Sequence, residues 1–538
     1  MVKNPKVPLF FSLLICTIYF FLFYFPNRSA SENLQMVAVF EPDEAVPLPY
    51  MLDMIKPADT FKHMVINFLS YDYYFYGYPY FAYSAGMTLP LIPLNLIHSV
   101  PIIMITLRQL VSVLPMLAAV MVLVYLQTRF NSYKAYVLLI FLLSIPAVVQ
   151  NNLWWHPDSL AILFAMLTIF FLDRDKLRFK LDYYLAAVMC GISAGIKGIG
   201  LYFFLTIFVY LLIGWLARKR TIIQTMLSGM GYLVAMCLSY LVSNPLLVYP
   251  GIRQKYFEVM REQFNVLKSG YEVIYQIGLI PALKSAMDYF GHWLIWIAIL
   301  GVCIWGIIRG PNRLLQTIIL TWAIPVSVLV FGVIHFKYQY WLPVFLPLFS
   351  CLATILPEKS DIINMLSKLK RKVRVKKNLS GCILIIVIIQ VVNYGISDFD
   401  RINQKIHATE LNPAIPFYSL AINALEPLIG GSYYVYHDVR MYVPETPGWV
   451  TDAIFELLDY DYLKMRNFDV VMLMQERIND YLNPNIIGLD SEAFTRSQIF
   501  YEDANLGKLQ GYHLVYRNNF GLVFVKEQLF ESEYNPQE

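Results

Sequence analysis

The chain is 538 residues long, 58% hydrophobic, 16% aromatic and only 15% charged. Soluble globular domains carry roughly 25% charged residues, so this balance excludes an ordinary water-soluble protein and points to lipid as the main solvent. The net charge of +4 carries little meaning until the basic residues are placed loop by loop, and it does not point to nucleic acid as a partner.

A helix that crosses the hydrocarbon needs roughly 20 mostly apolar residues. Runs of about that length are predicted near 8–25, 109–127, 135–150, 159–172, 183–196, 199–217, 222–243, 291–308, 314–334, 341–356 and 381–396. The first reads as a retained anchor. It exceeds the usual apolar core of a signal peptide, about 7–15 residues, and Pro26-Asn27-Arg28 is a poor cleavage site. Residues 80–106 are apolar but interrupted by Pro90, Pro93 and Pro101, and read as a partly embedded or surface helix pair. With the N-terminus in the cytosol, Arg129 and Lys134, residues 174–180, Arg218-Lys219-Arg220, Arg309 and Arg313, and the cluster 368–377 all fall on the cytosolic side. The connection 151–157 on the other side holds no Lys or Arg, which is the positive-inside pattern.

The expected fold is therefore an α-helical polytopic membrane protein of about eleven transmembrane helices, with a small C-terminal α/β extracytoplasmic domain. Residues 1–396 form the transmembrane part, with outer loops 26–106 and 244–290, and residues 397–538 the terminal domain. Strand-like runs at 432–436 and 469–474, and a hairpin across 512–526 turned at Asn518-Asn519, mark that domain as α/β. All six cysteines lie in apolar runs, where they read as small apolar side chains rather than a disulfide or metal framework.

Chemistry is concentrated on the outer side. Phe40-Glu41-Pro42-Asp43-Glu44-Ala45 places three carboxylates within four residues after the first span. They read either as a solvated helix start or as a general base in a partly desolvated cleft. Trp154-Trp155-His156-Pro157-Asp158-Ser159 puts Asp158 at the mouth of the fourth predicted span, as an N-cap or as a group that orients a substrate or a cation. Lys197, in Gly195-Ile196-Lys197-Gly198, either snorkels or meets a bulky anion in the space its glycines leave. His335 and Lys337 open a late span. The run from Tyr71 to Tyr80 offers interfacial anchors, or rings to stack on sugar or prenyl groups. The span interiors hold almost no ionisable side chains, which weighs against an ion-coupled transporter.

These motifs, in this order, resemble the GT-C superfamily of membrane glycosyltransferases, particularly bacterial relatives of the protein O-mannosyltransferases and of the lipid A aminoarabinose transferase. The resemblance covers about residues 5–355. It rests on Asp43-Glu44-Ala45, Tyr76-Gly77-Tyr78-Pro79-Tyr80, Arg108, Asp158, the stretch 191–198, Asn244-Pro245 and the stretch 335–343. It implies inverting transfer of a sugar from a polyprenyl-phosphate donor to a lipid, glycan or protein acceptor. Asp43 with Glu44 would supply the catalytic carboxylates, though which of Glu41, Asp43 and Glu44 is the base stays open. Asp158, Lys197, His335, Lys337, Tyr78 and Arg108 would bind substrate. The resemblance leans towards a bacterial inner membrane, and participation of a divalent cation is left open. The alternatives are a polymerase or ligase using a diphosphate-linked lipid, a lipid or glycan transporter, and a non-catalytic scaffold.

Overall fold

A computed structural model describes residues 6–269, 273–274, 279–332, 337–356, 379–428, 431–454, 458–484, 487–488 and 491–534. The basic cluster 368–377 lies outside the described residues. The chain divides into two units, one comprising residues 1–28, 50–260 and 279–405, the other residues 29–49, 261–278 and 406–538.

The first unit is helical. Among the described residues, five helices are long and apolar enough to cross a membrane: Lys6–Arg28, Val100–Thr128, Ile199–Leu216, Ile222–Ser243 and Arg313–Gly332. Leu283–Phe290 and Trp293–Arg309, bent by 76°, make a sixth if the pair is one span. The chain is thus a multi-pass membrane protein. Other apolar runs form shorter or more charged segments. Lys134–Leu143 is followed by Pro146–Asn151, whose proline starts a new helix because it lacks the N–H needed to continue the old one. The predicted span at 109–127 begins earlier, at Val100. Pro101 sits in the first turn, where a missing N–H costs nothing, so it starts this helix rather than interrupting it. A π-helical segment, Arg108–Val113, lies within it.

Side chains repair what the prolines remove. In Tyr338–Ser350, Pro347 cannot donate to the carbonyl of Pro343, and Trp322 Nε1 donates there instead at 2.9 Å. Trp322 also stacks on Phe203, with ring centroids 4.0 Å apart. The turn after Asp158–Asp175 is held in a similar way. Lys176, Leu177 and Phe179 all have positive φ, which disfavours residues with a side chain. The Asp175 carboxylate accepts from Phe179 N and Lys180 N, both at 2.9 Å, and from Tyr210 OH at 2.7 Å, fixing the turn.

Small residues set the closest helix approach. Leu181–Lys197 carries Gly191 and Gly195 four residues apart, on the face towards Ile222–Ser243. A Cβ on Gly191 would lie 2.4 Å from the carbonyl oxygen of Met236, and one on Gly195 would lie 2.7 Å from Asn244 Nδ2. Ser239 Oγ donates to Val188 O at 2.8 Å across the same contact.

The second unit contains a five-stranded sheet of β1 (Tyr433–His437), β2 (Trp449–Asp452), β3 (Val470–Met474), β4 (Tyr512–Arg517) and β5 (Gly521–Lys526), in the order β2-β1-β3-β5-β4. β1 pairs in parallel with β2 and β3, while β5 pairs antiparallel with β3 and β4. The expected strands and hairpin are present, with Asn518 N donating to Gly521 O at 3.0 Å in the turn. β2 was not anticipated. Alternation along β3 sends Val471 and Leu473 into one apolar layer, and Val470 and Met472 into the other.

Candidate active site

In the first unit, four side chains from three parts of the sequence meet. Asp158 opens the Asp158–Asp175 helix and is only 3% exposed. Lys197, the last residue of Leu181–Lys197, donates to its Oδ1 at 2.7 Å and its Oδ2 at 2.8 Å. His156 Nδ1 forms an ion pair with Asp158 Oδ2. Its other nitrogen, Nε2, lies 3.0 Å from Tyr76 OH. With the ring protonated both nitrogens donate, Nδ1 to the carboxylate and Nε2 to the tyrosine oxygen; with it neutral, Nδ1 donates to the carboxylate and Nε2 accepts from the tyrosine. Burial pushes the Asp158 carboxyl up, but the opposing charges of Lys197 and His156 outweigh burial and hold it down at about 2.

Backbone and rings fix this group. Gly77 N donates to Ile196 O at 3.0 Å, tying the segment that carries Tyr76 to the helix end that carries Lys197. Tyr78 N donates to Asn244 Oδ1 at 3.2 Å. Trp154 stacks on His156 at 4.1 Å, and Lys197 Nζ lies 4.7 Å from the centre of the Tyr340 ring. Only glycine fits at 77, because a Cβ there would come within 1.6 Å of the Gly195 carbonyl oxygen. Gly77→Ala is therefore expected to cost at least about 1–3 kcal/mol by overpacking against unyielding backbone. Gly86→Ala, with nothing within 4 Å of the new Cβ, serves as the near-neutral control in a thermal melt. Equal melting of the two variants would refute this account of Gly77.

Sequence reasoning located Asp158 and Lys197 but not their pairing, and it passed over His156 and Tyr340. The open space expected around Lys197 is reassigned in part: a Cβ on Gly195 would meet Asn244 and Ser243, while a Cβ on Gly198, at φ 70°, would meet nothing within 4 Å. The other expected site residues have the following surroundings. Arg108 is fully buried and donates from Nη1 to Asn27 O at 2.9 Å. The Tyr78 ring packs edge-on to Phe68 and tilted against Tyr71, inside a largely buried aromatic cluster. Lys337 is half-buried at the N-cap of Tyr338–Ser350. His335 lies outside the described residues. No group of three His, Cys, Asp or Glu side chains suited to a metal ion is found among the described residues.

The acidic cluster belongs to the second unit. Pro42–Ala45 is a four-residue helix in which Asp43 is half-buried and Glu44 fully buried. The preceding segment is tied to the terminal domain. Asn33 Nδ2 donates to Tyr442 OH, Gln35 Nε2 to Glu445 Oε1 and Thr409 Oγ1 to Glu32 Oε1, each at 3.3 Å. Of the two adjacent carboxylates, Asp43 is the one that remains accessible.

The fold has counterparts among solved structures. It is similar to that of ArnT from Cupriavidus metallidurans, in a crystal structure bound to undecaprenyl phosphate, with a TM-score of 0.51 and 13% identity over 96% of this chain and 97% of that one. The apo-state structure of the same protein matches with a TM-score of 0.51 and 13% identity over 95% and 97% of the two chains. No family model and no curated protein matches the sequence.

Proposed function

We propose that this protein is a GT-C-type glycosyltransferase that moves a sugar from a polyprenyl-phosphate donor to an acceptor hydroxyl or amine, with inversion at the anomeric carbon. The observation that carries this reading is the correspondence of nearly the whole chain to the fold of a protein crystallised with undecaprenyl phosphate. In this proposal the chain makes about eleven spans, with the N-terminus cytosolic and the terminal domain extracytoplasmic, in a bacterial inner membrane. Asp43 takes the acceptor proton as the new glycosidic bond forms. The bond from the anomeric carbon to the phosphate oxygen breaks, and the lipid monophosphate leaves with the electron pair. Lys197, held by Asp158, stabilises the charge that builds on that phosphate, helped by Lys337 and His335. Arg108 and Tyr78 support the site through packing.

The test supplies membranes containing the protein with labelled polyprenyl-monophosphate and polyprenyl-diphosphate sugars. Release of lipid monophosphate with a new glycosidic product is expected. Consumption of the diphosphate donor alone would establish a polymerase or ligase instead, and sugar movement without a covalent product a transporter.

A further inference from the structure

We propose that His156 is a positioning residue, holding the Asp158 carboxylate so that both of its oxygens face the Lys197 ammonium. The consequence for catalysis rests on the glycosyl-transfer reading above; the positioning rests on geometry alone. Tyr76 OH, His156, Asp158 and Lys197 lie in sequence at hydrogen-bond distance. The backbone bond from Gly77 N to Ile196 O returns from the lysine's neighbour to the tyrosine's. The four side chains and this bond close a ring that links the aromatic segment, the 151–157 connection and the end of Leu181–Lys197.

Within the ring, His156 is the member that reads both sides. Its Nε2 meets the phenol, its Nδ1 meets the carboxylate, its backbone N donates to Ser112 Oγ at 3.3 Å, and its ring stacks on Trp154. A carboxylate bound only by a lysine turns freely about its last torsion, which is broad and roughly two-fold. A second donor fixed by an aromatic stack sets that torsion, and with it the position of the ammonium. Groups that orient a first functional ligand typically change activity by about 10–100-fold when removed.

The experiment uses the full chain purified in detergent. His156→Phe keeps the stack on Trp154 and loses both polar contacts; His156→Asn keeps a donor near the position of Nδ1. Lys197 is followed by mass spectrometry after brief treatment with an amine-acylating reagent, with the exposed Lys219 as internal control. Lys197 labelling is expected to rise several-fold in His156→Phe and to return towards the unaltered level in His156→Asn. In the transfer assay, His156→Phe lowers kcat by about 10–100-fold with little change in donor KM, and His156→Asn recovers most of it. Unchanged Lys197 labelling in His156→Phe would overturn the positioning role, as would equal impairment and equal loss of melting temperature in both variants. Raised labelling with unaltered kinetics would overturn its part in transfer. If the unaltered protein transfers no sugar, the function reading fails, and the labelling arm alone decides whether His156 holds the pair.

Discussion

Asp43→Asn is expected to lower sugar transfer by about 100-fold or more while leaving the protein folded. An acceptor hydroxyl attacking the anomeric carbon becomes strongly acidic only as the new bond forms, so a carboxylate placed beside it lowers the barrier by taking that proton in the transition state. The amide has almost the same shape and cannot take it. Asp43 is half-buried in a four-residue helix, so the substitution disturbs little packing. Glu44→Gln offers the contrast, since Glu44 is fully buried and its loss is expected to appear first as reduced stability. Turnover and melting temperature measured on both variants separate the two roles. Normal transfer by a well-expressed Asp43→Asn protein would remove Asp43 as the base.

Lys197→Met is expected to do damage twice. Asp158 is left buried without its principal cation, and breaking a buried pair from one side costs about 3–5 kcal/mol. The remaining contact with His156 tempers that cost. Loss of the ammonium also removes charge stabilisation from the departing phosphate, an effect of about 100- to 1,000-fold on kcat when one such donor is deleted. The double variant Asp158→Asn/Lys197→Met removes both charges together. Its thermal stability is expected to recover towards that of the unaltered protein while transfer stays low. If the double variant regained activity together with stability, Lys197 would be a purely structural residue.

The residues differ in how far the sequence revealed them. Asp158 and Lys197 stood out because charged side chains are scarce in so apolar a chain. Their ion pair spans 39 residues, and no local pattern encodes a contact at that separation. His156 was hidden for a different reason: a histidine that follows two tryptophans at a helix entry carries no local signal of its partners. Its role depends on which nitrogen faces Asp158, a property of three dimensions. Gly195 and Gly198 were read as space for an anion, whereas helix packing fills the space at Gly195 and leaves that at Gly198 open. Periodicity of two found β1, β3 and the β4–β5 hairpin. It missed β2, whose four residues are half-buried or exposed and carry no apolar alternation.

Composition and hydropathy by themselves determined that the chain lives in lipid, because a helix can satisfy its backbone there without help from distant residues. They also identified a polar C-terminal α/β domain, because strand alternation is a local property. The order of acidic, aromatic and basic motifs was enough to recognise a GT-C-like arrangement. Only the tertiary structure decided which residues stand beside which. It joined Tyr76, His156, Asp158 and Lys197, buried Arg108 and Tyr78, and left Asp43 rather than Glu44 accessible. Burial makes each of these choices: it strengthens a paired charge, penalises an unpaired one, and acts between residues that the chain brings together only by folding.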